Sequence, residues 1–313
     1  MASAAGAAEL LALLLPHRFL ALPDPAVPLA ETAWKALGGV SGPVGEDSRI
    51  QRLWDEGTCA PAADTLLQGA LEITSARLLA SRAPGSGAWL SAVPSASLGL
   101  NLDDSALRVA VGLRLEFPLV LAHQCTCGAT VDKFGHHGLA CKRSAGRHLR
   151  HNLLNDTILR ALQSANVAAV REPPGLLRTD AKRPDGATLV PWSRGRCLVW
   201  DATCPDTLAP SYLQRSAAQS GAAAALAEVK KQTKYANLTT AHEFVPVAIE
   251  TLGSWGAMGL IFVNEVGRRI TAVSGDSRAT AFLKQRLAMA VQRGNAAAVL
   301  GTLGSQQPDD TVG

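Results

Sequence analysis

One carboxylate constrains this chain more than any other residue. Asp201 stands inside the apolar run Arg196 to Cys204, which reads as a strand buried in a core. A carboxylate in the middle of a buried strand is costly unless it is paired or ligates a cation. The run is the second arm of a strand-turn-strand pattern over Lys182 to Thr207. Arg183-Pro-Asp-Gly opens the pattern, Pro191-Trp-Ser-Arg-Gly turns it, and Asp185 stands at its other end. A divalent metal held jointly by Asp185 and Asp201 would satisfy the buried charge.

The chain is long and apolar enough to bury such a strand: 313 residues, 47% hydrophobic and 18% charged, sufficient for two or three units of soluble globular protein. Its net charge of +4 is modest, but cations cluster at Lys142 to Arg150, Lys230 to Lys234 and Arg268-Arg269. That placement suits a polyanion, although solvated helix faces produce similar clusters. Leu10 to Leu15 lacks a basic leader, follows Glu9 and is too short to span a bilayer, so it reads as helix. Of six cysteines, three fall within Cys125 to Cys141, which favours a metal site in a reducing compartment over a disulfide framework.

Helical periodicity is expected at Ala8 to Leu15, in two or three segments between Ser48 and Arg82, at Asp103 to Leu115 and at His151 to Ser164. A strand at Val167 to Arg171 ends at Glu172-Pro-Pro-Gly. After the hairpin come an Ala-rich helix (Ser211 to Leu238), a strand (Phe244 to Glu250) and helices near Trp255 to Val273 and Ser277 to Leu300. This order predicts an α/β fold, a mixed sheet flanked by helices. Trp54 and Trp89 read as core residues.

The segment from His123 to Cys141 gathers Cys125, Cys127, the pair His136-His137 and Cys141. Thiolate and imidazole are the ligands Zn²⁺ prefers, and four of them would fold a segment too short for its own core. Either histidine completes the set, as CxC-x8-H-x4-C or CxC-x9-H-x3-C, and His137 is preferred. A zinc held by four protein ligands is structural.

Two carboxylates converging on one metal would activate water against a phosphate, and a lysine would then be useful beside them. The position two residues after Asp201 is Thr203, so the lysine is expected from the following helix. Lys231 and Tyr235 lie one turn apart there, with Lys230 the second choice and Glu228 placed to pair with Lys231. Glu172 offers a third acid or a metal partner through water. Glu250 reads as structural, pairing a basic neighbour, with Gly253 ending the strand. His148, Arg150 and His151 read as a phosphate-binding helix start, a cap or plain surface. Arg286 and Arg293 read as a solvated face.

Arg183-Pro-Asp185, Asp201 and the displaced Lys231 resemble the PD-(D/E)XK nuclease core. Preceded by CTCGATVDKFGHHGLAC and followed by KKQTKY and FVPVAIETLG, they are similar to the carboxy-terminal region of LINE-type (non-LTR) retrotransposon proteins. The resemblance, which spans about Ser86 to Leu303, implies a restriction-endonuclease-like domain at 147–304 behind a CCHC zinc knuckle at 119–146; the pattern of the chain itself adds an α-helical region at 1–118 and a flexible tail at 305–313. It implies a metal-dependent endonuclease that nicks nuclear DNA for target-primed reverse transcription. Asp185, Asp201 and the carbonyl of Ala202 would bind Mg²⁺ or Mn²⁺. Lys231 would be the catalytic lysine with Tyr235 as its companion, and Cys125, Cys127, His137 and Cys141 would bind zinc. RNA or an RNA–DNA junction is the alternative nucleic-acid partner. The sequence has no Tyr/Phe-x-Asp-Asp signature, so a reverse transcriptase would lie elsewhere in a larger element or in a separate chain. The competing reading is a catalytically inactive, nucleic-acid-binding descendant.

Overall fold

The computed structural model describes residues 35, 51–174, 176 and 183–303. The expected helix at Ala8 to Leu15, the tail at 305–313, Lys182 and the Trp54 side chain lie outside the described part. From residue 51 on, the chain forms helices α1 (Gln51–Leu67), α2 (Glu72–Arg82) and α3 (Asp104–Leu115). Asp103 starts α3 by accepting the Ala106 N–H at 2.7 Å, the usual way a helix's unpaired first donors are met. A ribbon of β1 (His123–Gln124) and β2 (Thr130–Val131) leads to α4 (His136–Ala140) and α5 (Ala145–Ser164). There follow β3 (Ala169–Arg171), β4 (Gly186–Ser193), β5 (Arg196–Thr203), α6 (Leu213–Ala218), α7 (Ala222–Lys234), β6 (Glu243–Ala248), α8 (Ala257–Ser274) and α9 (Ala279–Leu300).

The chain is therefore a mixed α/β protein, its larger sheet four-stranded in the order β3-β4-β5-β6. β3, β4 and β5 pair antiparallel, and β6 runs parallel to β5 after the α6–α7 crossover. Side chains alternate across β5, as the two-residue strand period requires. Leu198, Trp200 and Ala202 enter the main core with α5, α8 and α9. Val199 packs with Ala187, Tyr235 and Phe244 on the opposite face, where Ala224 and Ala227 of α7 meet Ala248 of β6. Asp201 shares that second face.

Three of the boundaries that differ from the periodicity have a local cause. The hairpin turn is only Arg194-Gly195, with φ of 49° and 73°, the left-handed pair that two-residue hairpins need. Pro191, Trp192 and Ser193 therefore belong to β4, whose register shifts after Ala187. The Thr188 hydroxyl accepts the Leu198 N–H at 2.9 Å, so a side chain replaces a lost ladder bond at the bulge. The Ala-rich stretch breaks at Gly221, φ 77°, giving two helices in place of one. Helix α5 starts at Ala145 rather than His151, its early turn hidden in the sequence by Gly146 and a run of polar residues.

Helix α9, the longest among the described residues, is where these parts meet. Residues of α2, α3, the Cys/His segment and α9, among them Ala76, Val109, Leu113, Leu139 and Val299, form one buried apolar cluster. Arg150 of α5, read from sequence as surface or a phosphate contact, is only 2% exposed. It donates to Asn295 Oδ1 at 2.8 Å and to the Leu139 carbonyl at 2.7 Å, tying α4, α5 and α9 together. A Cβ at Gly294 would stand 1.7 Å from Arg150 Cγ. Gly294→Ala is expected to destabilise near the top of the about 1–3 kcal/mol range for overpacking, well beyond the helix-propensity gain of about 1 kcal/mol. A urea midpoint equal to or above the parent's would contradict this packing.

Candidate active site and metal centre

The acid pair lies where β4 enters the sheet. Gly186, the first residue of β4, pairs with Trp200 at the end of the β4–β5 ladder, and the Asp185 N–H just before it donates to the Trp200 carbonyl at 3.1 Å. Asp201 follows Trp200 on β5, so both acids stand at the same end of that ladder. Gly186 is required here, because a Cβ would lie 2.0 Å from the Trp200 ring. The Asp185 carboxylate Oδ2 accepts the Ala202 N–H at 2.7 Å. The Trp200 carbonyl faces β4 and the Thr203 carbonyl accepts from Ile249, so by alternation the Ala202 carbonyl lies on the β4 side of β5.

Asp201 is 2% exposed, and its Oδ1 accepts from the Lys231 ammonium. Lys234 adds a second cation, its Nζ 3.9 Å from Oδ2. Lys230, the second choice from sequence, instead donates to the Tyr212 hydroxyl at 3.1 Å. Tyr235, the residue that follows α7, is fully buried and packs with Val199 on the face of β5 that Asp201 shares. Its hydroxyl donates to the Arg183 carbonyl at 3.0 Å and accepts from Lys234 at 2.7 Å. Tyr235 thus fastens the Arg183-Pro-Asp segment to the end of α7.

His151 was not singled out as a partner of the acids, yet its Nε2 lies 2.9 Å from Asp185 Oδ2. Burial pushes the Asp185 carboxyl up, but His151 and the Ala202 N–H outweigh burial and hold it below the ordinary carboxylate range. Reciprocally, the bond to Asp185 raises the His151 imidazole above its usual value. Asn155, one turn on, accepts the Trp200 indole N–H at 2.9 Å and donates to the His151 carbonyl at 3.1 Å, so α5 and β5 are bonded directly behind the acids. Glu172 continues the same row across the sheet, its N–H bonded to the Asp185 carbonyl at 2.8 Å. Its φ of 48° turns the side chain outward into an ion pair with Arg183, so it is exposed.

Two expected ion pairs are replaced by other contacts. Glu228 does not pair with Lys231; it accepts N–H groups of Met258 and Gly259 at 3.2 and 2.8 Å. Among the described residues Glu250 has no basic partner; it accepts from the Ala224 N–H and the Thr207 hydroxyl, each at 3.0 Å. Burial raises both carboxyls above their ordinary range. The strand preceding Glu250 ends at Ala248, and Gly253 serves the turn beyond it, at φ 92°. Arg293 is no solvated face either, since it donates to the Gly99 and Asn101 carbonyls at 3.0 and 2.7 Å. Arg286 is half-buried, which lowers its pKa.

The Cys/His segment closes on itself. Cys125, Cys127, His137 and Cys141 bring one ligand atom each to within 4.8 Å of one another, a cluster able to hold a metal ion such as zinc. The Cys125 and Cys141 sulfurs are 3.8 Å apart, close to the edge of a tetrahedron with Zn–S bonds of about 2.3 Å. His137 Nε2 is 3.2 Å from Cys127 Sγ. His136 instead stacks on Phe134, ring centroids 5.6 Å apart, which separates the two candidates. Burial pushes the Cys125 thiol up, but the Cys127 amide and the His137 ring overcome it and hold it at about 6, so a thiolate is available at neutral pH.

No protein-family model and no curated protein matches this sequence.

Proposed function

We propose that Asp185, Asp201 and Lys231 form the active site of a metal-dependent DNA endonuclease with a restriction-endonuclease-like core, as the resemblance to LINE-type proteins implies. The observation that carries this reading is the placement of both acids at one end of the β4–β5 ladder with the Lys231 ammonium on Asp201. Two carboxylates and the Ala202 carbonyl make the hard-oxygen donor set that Mg²⁺ or Mn²⁺ takes, and these groups would hold the ion. Such an ion, when bound, lowers the pKa of a water and neutralises charge on a phosphate. Lys231 contributes a fixed positive charge where negative charge develops on the attacked phosphate. His151 orients Asp185, and Tyr235 secures the segment that carries it.

Cys125, Cys127, His137 and Cys141 would hold zinc with no position left for a substrate, which makes it structural. Lys142, Arg143, Arg147 and His148 are exposed between that centre and His151. They suit the phosphates of DNA, RNA or a junction between the two. A reverse transcriptase in the same or another chain, and work in the nucleus, follow from the resemblance alone.

A second reading draws on the same contacts, because Lys231 and His151 each satisfy one acid without a metal. It makes the chain a nucleic-acid-binding descendant that no longer cuts. The test is nicking of a supercoiled plasmid with Mg²⁺ by the parent, Asp185→Ala and Asp201→Ala. Loss of a metal ligand is expected to lower the rate by at least about 10²-fold. Cleavage indifferent to both substitutions removes the assignment. A parent that binds DNA in a salt-dependent way but never nicks it leaves the second reading.

A further inference from the structure

Glu228 and Glu250 take no part in the proposed reaction, yet they are 4% and 0% exposed. Buried carboxylates need compensating partners. The amides they accept from are those of Ala224, third residue of α7, and of Met258 and Gly259, second and third residues of α8. These are the donors left without a partner at a helix start, ordinarily met by a side chain at the preceding cap position. At α7 and α8 that position is Gly221 and Gly256, which have no side chain to offer.

Each helix is therefore capped by an acid from another element. Glu250, just past β6, caps α7; Glu228, inside α7, caps α8. Helix α8 in turn rests on β6, where a Cβ at Gly259 would be 3.2 Å from the Ala248 nitrogen. The chain of contacts closes from β6 through α7 and α8 back to β6. The approach leaves no slack, since a Cβ at Gly256 would lie 2.2 Å from Glu228 Oε1. Helix α7 is held at its first turn and again at Glu228, one turn before Lys231.

We infer that Glu228 and Glu250 are positioning residues for the Asp201–Lys231 pair: by capping α8 and accepting the cap bond of α7, they fix the height and rotation of α7 so that the Lys231 ammonium meets Asp201. The inference rests on the nuclease reading for its catalytic consequence, but its geometric claim has a readout of its own. The experiment compares the full chain with Glu228→Ala, Glu250→Ala, the milder Glu228→Gln and Glu250→Gln, and Val291→Ala. Val291 lies in the core on the other face of the sheet and serves as a destabilised control. Competitive acylation of lysines, quantified by mass spectrometry, reports how well Lys231 is held, and single-turnover nicking reports its use.

In both alanine variants, Lys231 labelling is expected to rise, and nicking to fall with DNA affinity unchanged, each by about tenfold. The glutamine variants retain one acceptor oxygen and should recover part of both effects, while Val291→Ala moves neither. Folded alanine variants with parental labelling and rate overturn the inference, and so does an equal response in Val291→Ala. Should the alanine variants not fold, the same comparison in the glutamine variants decides. A parent that does not nick defeats the nuclease reading, and the labelling result then judges the positioning claim by itself.

Discussion

Replacing Lys231 with alanine is expected to lower Mg²⁺-dependent nicking by about 10³-fold, inside the range for removing a group that assists proton transfer or stabilises developing charge. The expectation is large because the substitution acts twice. On the proposed nuclease reading it removes the ammonium from the reacting phosphate, and it strips Asp201 of the partner that fixes its carboxylate, at a position only 2% exposed. Lys234, 3.9 Å from the other oxygen, is too far to replace it at hydrogen-bond distance. Lys230→Ala provides the internal comparison, since Lys230 binds the Tyr212 hydroxyl away from the acids, and its rate should stay within about twofold of the parent. Equal losses in the two variants, or a Lys231→Ala protein as active as the parent, would dissociate the lysine from the chemistry. Single-turnover rates and DNA affinity measured separately distinguish a lost catalytic group from weaker binding.

Stripping metal from the Cys/His cluster is expected to disturb far more than residues 119–146. Structural zinc sites contribute about 10–16 kcal/mol of apparent binding free energy in small peptides, the same order as the whole stability of an ordinary domain. Here the folded segment supplies Val131, Leu139 and two of its cysteines to the cluster shared with α2, α3 and α9. It also supplies the Leu139 carbonyl that Arg150 of α5 depends on. Chelation or Cys141→Ser should therefore lower Tm by about 10–20 °C, corresponding to about 5 kcal/mol, and amide exchange should rise in α5 and α9. Since α5 carries His151, the contact with Asp185 should loosen as well. Unchanged exchange in α9 after verified metal loss would show that the segment folds apart from the helix beneath it.

The parts visible in the sequence were those whose physics is local. A charge inside an apolar run marked Asp201, helical spacing marked Lys231, and ligand density marked the four residues from Cys125 to Cys141. The concealed parts depend on contacts made across the fold. His151 reaches Asp185 only because of the way α5 is rotated against the sheet, which is set by packing such as that of Arg150 over Gly294. Arg150 itself sits in a basic run that reads as solvated. Glu228 and Glu250 cap helices of other elements, and no spacing rule within one helix reveals such a bond. The break at Gly221 did have a signal, Ser220-Gly221, which the alanines on both sides obscured.

The close seating of the Cys/His segment on α9 constrains how this protein can drift. A Cβ at Gly138 would come within 2.6 Å of the Ala298 carbonyl oxygen, and one at Gly146 within 2.3 Å of the Ala298 nitrogen. The obstacle is main chain in both cases, so no exchange of side chains on α9 can make room. In relatives sharing this arrangement, the two glycines should persist even where the Cys/His cluster has been lost, and the Cys/His loop could not be transplanted without its helical seat.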